Sequence, residues 1–181
     1  MKKLHPDGLL QGVRFLPSAN CDDRPAGSEI TLLVLHSISL PPGAYGGDAI
    51  ERLFTNRLDA EAHPYFKEVS SLKVSAHFLV RRGGELVQFV PVGRRAWHAG
   101  ASSWRGRKDC NDYSIGIELE GTDESDFEDA QYRRLSNLVN VLRLALPLRD
   151  FAAHSDVAPG RKTDPGTRFD WRRLLADLSR P

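Results

Sequence analysis

The chain has 181 residues, 40% hydrophobic and 27% charged, and its 25 basic and 24 acidic side chains leave a net charge of +1. This length suits one domain with a sizeable core, and the composition excludes a disordered or fibrous chain. The balanced charge argues against a nucleic-acid partner. Because no apolar run approaches the roughly 20 residues of a membrane helix, we expect no membrane partner either.

The first residues carry lysines but no apolar stretch after them, so the sequence predicts a cytoplasmic protein without a secretory signal. In that compartment Cys21 and Cys110 are expected to stay reduced. No linker divides the chain. We therefore expect an irregular N-terminal arm over residues 1–28 and one domain over residues 29–181, acting as a monomer.

In the first half of the chain, the apolar run over residues 30–35 predicts a buried strand that stops at His36. Apolar residues at helical spacing predict a helix over residues 48–58, and the stretch 60–71 reads as a loop. Two apolar segments, 74–80 and 85–90, flank a Gly-Gly turn and predict a β-hairpin.

In the second half, residues 96–111 are expected to be irregular, and strict alternation over 114–120 predicts a strand with Glu118 opposite its apolar face. Helical periodicity follows over 128–146. A short apolar segment then ends at His154, residues 155–169 read as irregular, and a final helix begins after Asp170 as its N-cap. This order predicts an α/β (α+β) fold, with a central mixed β-sheet and helices packed on its faces.

Two histidines stand out because each ends a predicted strand, where open sheets build their sites. His36 and His154 have this position, and Asp164 follows His154 by ten residues. Two histidines and a carboxylate are typical of catalytic zinc with a fourth position open. From spacing alone, Asp164 could equally be a turn residue before Pro165.

Two further residues could carry chemistry. Glu118 is either a solvated glutamate on an exposed strand face or a general base beside a metal. Lys162 is a surface lysine, or, if Asp164 binds metal, a cation near a developing oxyanion. Trp97, His98 and His77 are read as pocket wall or packing rather than as metal ligands.

Taken together, several segments resemble one family in its own order along the chain. They are LHSISLPPGAYGG (35–47), HPYF (63–66), VSAHFLVRRGGELVQFVP (74–91), RAWHAGASSWRGR (95–107), CNDYSIGIELEGTD (110–123), DAQYRRL (129–135) and APGRKTDPGTRFDW (158–171). The family is the zinc amidases that include bacteriophage lysozyme-amidases and peptidoglycan recognition proteins. Within it, the chain is most similar to the cytoplasmic bacterial branch that acts on 1,6-anhydro-N-acetylmuramyl-L-alanine.

The resemblance implies one zinc ion per chain, held by His36, His154 and Asp164, with Glu118 and Lys162 as the catalytic pair. We expect substrate contacts from six further residues: Ser37, Tyr65, Lys73, Trp97, His98 and Arg107. Three positions depart from the pattern of close relatives. Close relatives often have asparagine at the position of Ser37 and arginine at the position of Lys73. They often have a basic residue at the position of Asp109, and here Arg107 could take over its role.

The expected activity is hydrolysis of the amide bond between (1,6-anhydro-)N-acetylmuramic acid and L-alanine in small muropeptides. Three alternatives stay open: a broad-specificity murein amidase, a non-catalytic peptidoglycan-binding module, and a structural-zinc or nucleic-acid domain. The charge balance and the lack of a cysteine-rich zinc motif disfavour the last.

Overall fold

A six-stranded mixed sheet forms the centre of the computed structural model, which describes residues 3–179. The strands are β1 (Arg14–Phe15), β2 (Cys21–Asp22), β3 (Leu32–Ile38), β4 (Phe78–Val80), β5 (Leu86–Gln88), β6 (Arg95–Ala96), β7 (Ser103–Trp104), β8 (Arg107–Lys108), β9 (Ser114–Glu120) and β10 (Asp150–Ala153). The helices are α1 (Ala49–Phe54), α2 (Pro64–Val69), α3 (Asp129–Ala145), α4 (His154–Val157) and α5 (Trp171–Leu178). Short 3₁₀ turns lie at Ala60–Ala62 and Cys110–Asp112.

The main sheet has the order β1-β5-β4-β9-β3-β10, and its β4–β5 pair is antiparallel while the other neighbours are parallel. The strands β3 and β9 pair along seven residues, from Leu32 with Ser114 to Ile38 with Glu120. Because β4, β9, β3 and β10 run the same way, their carboxyl ends meet at one edge. Open sheets of this kind place their sites there.

Helices cover both faces of the sheet. On one face, Leu33, Leu35 and Ile117 pack with the apolar stripe of α3 and with Leu174 of α5. On the other, Leu79, Val87 and Phe89 pack with residues of α1 and α2. The predicted α/β class, a mixed sheet with helices on its faces, is therefore confirmed.

The most distinct error of the sequence reading concerns residues 60–71, which form a 3₁₀ turn and the helix α2 rather than a loop. Pro64 stands in the first turn of α2, where its missing N–H costs nothing. His63 caps the helix, because its Nδ1 accepts a hydrogen bond of 3.1 Å from the backbone N–H of Tyr65. Burial of Phe66 then fixes the helix against the sheet.

Other differences are smaller. The strand β3 continues through His36 to Ile38, because the pairing with β9 continues. The helix α1 ends at Phe54 rather than 58, just before Asn56 takes a left-handed φ of 58°. The two segments expected to be irregular, 96–111 and 155–169, contain β7, β8, the second 3₁₀ turn and part of α4. The N-terminal arm holds β1 and β2, and α5 begins as predicted with Asp170 accepting from the Arg173 N–H at 3.0 Å.

Within residues 3–179, no helix is long and apolar enough to cross a membrane.

Candidate active site

The site lies at the carboxyl edge of the sheet, on the face that carries α1 and α2. His36 lies near the end of β3 and is paired in register with Glu118 of β9. On the other side of β3, the parallel strand β10 ends at Ala153, so His154 begins α4 at the same edge. Asp164 reaches the site from the loop after α4, where its carbonyl accepts from the Ser155 N–H at 3.0 Å.

Three donor atoms converge at this edge. His36 Nδ1 lies 2.9 Å from His154 Nδ1, and Asp164 Oδ2 lies 3.3 Å from the first and 3.0 Å from the second. Zinc ligands at 2.0–2.1 Å in a tetrahedral site are separated from one another by about 3.3 Å. Donor type and spacing therefore both fit a zinc ion with one coordination position left for water or substrate.

The electrostatics of His36 and Asp164 also suit a cation. Burial lowers the pKa of His36 to about 4, so its imidazole is neutral at physiological pH. Burial alone would raise the pKa of Asp164, but the contacts with His154 and His36 outweigh it and hold the pKa below its usual range. A neutral imidazole and an ionised carboxylate are the forms that bind metal.

Each histidine uses its second ring nitrogen for another contact. His154 Nε2 lies 3.2 Å from the carbonyl oxygen of Ala99. His36 Nε2 lies 2.9 Å from Nδ1 of His98, a half-buried residue. His98 was expected to be pocket wall; it lines the cavity, and it also contacts a predicted ligand.

Glu118 is buried rather than solvated, with 9% of its surface exposed. Its Oε2 has no hydrogen-bond partner among residues 3–179. Burial and the nearby charge of Asp164 raise the pKa of Glu118 well above its ordinary value, and Lys162 opposes the rise. A carboxyl group tuned upward in this way suits proton transfer near neutral pH.

A cavity of about 280 Å³ opens over these groups, and Lys162 lines it together with the three predicted ligands and Glu118. Of the six residues expected to contact substrate, four line the same cavity: Ser37, Tyr65, Trp97 and His98. The other two lie outside this lining. Lys73 directs its Nζ to Asn56 Oδ1 at 3.2 Å, and the guanidinium of Arg107 stacks on the ring of Tyr113.

Sequence reasoning missed two groups of residues here. One is the apolar wall from Leu53, Phe54 and Val69, which the reading of 60–71 as a loop concealed in part. The other is Asn111, which holds the backbone of the two residues that contact the predicted histidine ligands. Asn111 Oδ1 accepts from the backbone N–H groups of His98 and Ala99, at 3.2 and 2.8 Å. No sequence pattern marks such contacts, because a side chain here bonds the backbone of another segment, 12 and 13 residues earlier in the chain.

Comparison with known proteins agrees with this geometry. The family model described as N-acetylmuramoyl-L-alanine amidase matches residues 26–167. The chain belongs to this family, and it is an N-acetylmuramoyl-L-alanine amidase. The prediction of an N-acetylmuramoyl-L-alanine amidase is thereby confirmed, and the alternative of a non-catalytic module is not supported.

The chain is similar to AmpD enzymes and to another amidase of the family. The 1,6-anhydro-N-acetylmuramyl-L-alanine amidase AmpD of Escherichia coli (strain K12) is 51% identical over 175 residues, 96% of each chain. A crystal structure of a selenomethionine AmpD derivative has a TM-score of 0.94 at 50% identity and covers 97% of this chain and 99% of its own. The amidase AmiD of E. coli was solved with anhydro-N-acetylmuramic acid-L-Ala-D-γ-Glu-L-Lys. Its structure has a TM-score of 0.60 at 28% identity, and the match covers 96% of this chain and 65% of the AmiD chain.

Proposed function

We propose that this chain hydrolyses the amide bond between 1,6-anhydro-N-acetylmuramic acid and L-alanine, with one zinc ion per chain held by His36, His154 and Asp164. The observation that carries the proposal is the convergence of three metal-binding atoms within 3.3 Å of one another, in a cavity shared with a buried carboxyl group. The substrate class comes from AmpD, which the chain matches over nearly its whole length.

The reaction adds water across a stable amide. A zinc ion bound here supplies Lewis acidity toward water and the amide carbonyl. Glu118 accepts a proton from the attacking water and later delivers it to the departing nitrogen, so the C–N bond breaks and a free amine forms. Lys162 donates to the oxyanion that develops on the carbonyl oxygen. The products are the lactyl carboxylate of the sugar and a peptide with a free N-terminal L-alanine.

Substrate is held along the cavity wall. Tyr65 and Trp97 offer flat apolar surface, and Ser37 offers a hydroxyl that also donates to Asp123 at 3.3 Å. Lys73 and Arg107, which lie outside this lining, are the basic candidates for holding the carboxylates of the sugar and the peptide. We also propose that the protein is a monomer and acts in the cytoplasm on small soluble muropeptides. Gel filtration tests the oligomeric state, and cell fractionation tests the compartment.

The decisive experiment is mass spectrometry of products from anhydro-muropeptide, reducing muropeptide and polymeric murein, incubated in parallel with zinc-loaded protein. We expect cleavage at the lactyl–alanine amide, with kcat/KM at least about 100-fold higher for the anhydro sugar. Equal rates on all three substrates would make the chain a broad-specificity murein amidase. A metal-free sample with full activity would refute the zinc assignment.

A further inference from the structure

A line of polar contacts leads from the predicted ligand His36 back into the protein. His36 Nε2 lies 2.9 Å from His98 Nδ1, and His98 Nε2 lies 3.1 Å from the hydroxyl of Ser114. That hydroxyl donates to the carbonyl oxygen of Cys110 at 2.6 Å. We call these groups the Ser114–His98 relay.

The protons of the relay can be assigned by counting donors. Ser114 has one hydroxyl hydrogen, and the Cys110 carbonyl can only accept it, so Ser114 Oγ must accept from His98 Nε2–H. A neutral imidazole carries hydrogen on only one ring nitrogen, so a His98 ring that donates from Nε2 has a bare Nδ1. The bare Nδ1 accepts from His36 Nε2–H, which leaves the lone pair of His36 on Nδ1. That lone pair faces His154 and Asp164.

We propose that His98, with its own tautomer fixed by Ser114, is a positioning residue that presents Nδ1 of His36 to the metal. The inference rests on the metal site proposed above. Partners behind a metal-binding histidine fix its ring and tautomer, and their loss usually weakens metal affinity 10- to 100-fold.

The backbone around His98 is built to hold this contact. A Cβ on residue 116 would lie 2.4 Å from Cγ and 2.6 Å from Nδ1 of the His98 ring, so Gly116 allows the ring to lie flat against β9. Asn111 Oδ1 fixes the N–H groups of both His98 and Ala99. Since the Ala99 carbonyl contacts His154 Nε2, one dipeptide orients both histidine ligands.

A purely structural role for His98 predicts different behaviour, and four variants separate the two readings. His98→Phe keeps the ring shape and removes the acceptor. His98→Asn restores an acceptor at the position of Nδ1. Gly116→Ala keeps the imidazole but displaces it. The control is His77→Phe, since His77 is a buried imidazole 5.9 Å from the His98 ring that bonds Gly116 and Arg94 and not the ligands.

The measurement is the zinc dissociation constant of the metal-free full chain, by competition with a chelator, with folding checked by circular dichroism. We expect affinity to fall 10- to 100-fold in His98→Phe and in Gly116→Ala, to recover mostly in His98→Asn, and to stay near wild type in His77→Phe. Equal affinity of His98→Phe and wild type would overturn the relay, as would an equal loss in His77→Phe. Wild-type protein that binds no zinc would overturn the metal site itself.

Nuclear magnetic resonance of the wild-type protein gives a test that needs no variant. Long-range ¹H–¹⁵N correlations report which ring nitrogen of a histidine is protonated. We expect the Nε2–H form of His98 in metal-free and zinc-loaded protein, and a mixture of forms in Ser114→Ala. A proton on Nδ1 of wild-type His98 would refute the relay.

Discussion

Replacing Glu118 by glutamine removes the proposed proton carrier with almost no change of shape. The side chain is 9% exposed, and its Oε2 has no hydrogen-bond partner within residues 3–179, so the variant breaks no contact of that oxygen. General acid–base catalysis typically contributes 10²- to 10⁴-fold. We therefore expect kcat to fall by this factor, which equals about 2.7–5.5 kcal/mol of barrier, while zinc content and KM stay close to wild type.

The same variant is expected to stabilise the metal-free fold at neutral pH. The pKa of Glu118 is raised in the folded chain, so the folded state binds more protons than the unfolded state over the pH range between the two pKa values. Stability conferred by the protonated group is full below the ordinary carboxyl pKa and is lost as pH rises through the raised one. Glutamine does not titrate, so the stability of the Glu118→Gln fold does not fall with rising pH for this reason.

The control lies two residues along the same strand. Glu120 is also buried, but it accepts from the Gly46 and Arg82 N–H groups and pairs with Arg81 at 3.3 Å. Glu120→Gln should lose stability, about 1.5–3 kcal/mol for each charged hydrogen bond that is weakened, and keep most of its kcat. Steady-state kinetics, zinc analysis and urea unfolding from pH 4 to 8 measure both variants. A Glu118→Gln enzyme with near-normal kcat would refute the role assigned to this carboxyl group.

Three other predictions use different readouts. Alanine at any one of the three proposed ligand positions should abolish stoichiometric zinc binding together with activity, and zinc retained after such a change would contradict the ligand set. Lys162→Ala should keep zinc and lower kcat more than it raises KM, because its contact strengthens as oxyanion charge develops; the reverse pattern would make it a substrate clamp. Arg81→Met removes the ion pairs with the buried carboxylates of Glu51 and Glu120, which keep Arg14 and the backbone N–H groups of Gly46 and Arg82 as partners. By urea unfolding it should cost about 1.5–3 kcal/mol for each of the two charged hydrogen bonds, whereas Arg82→Met, whose pair with Glu128 is more exposed, should cost under about 1 kcal/mol.

Periodicity predicted what depends on local sequence. The alternation over 114–120 assigned Glu118 to the face opposite the apolar core, and the spacing of Tyr132, Leu135 and Val139 located α3 almost to its ends. It failed over residues 60–71, which were predicted to be a loop, although His63 caps α2 and Pro64 begins it. Proline is common in the first turn of a helix, so Pro64 was itself a signal for the start of α2.

Pairings across the chain could not be predicted from pattern. His98 contacts His36 across 62 residues, and nothing in its neighbours distinguishes it from a packing histidine. The proposed metal site combines His36, near the end of β3, with His154 and Asp164, which follow the end of β10. The resemblance supplied the link between these segments, and the parallel order of β3 and β10 gives its physical basis.

The register between β3 and β9 has a consequence for how activity reports on folding. His36 and Glu118 are direct partners in that register, and successive side chains of a strand alternate between faces. A slip by one residue would direct one of them into the core beneath α3 and separate a ligand from its proton carrier. Turnover therefore serves as a test of strand alignment: a refolded or engineered preparation can regain its helices and compactness, and only the fraction with native pairing of the central strands will turn over substrate.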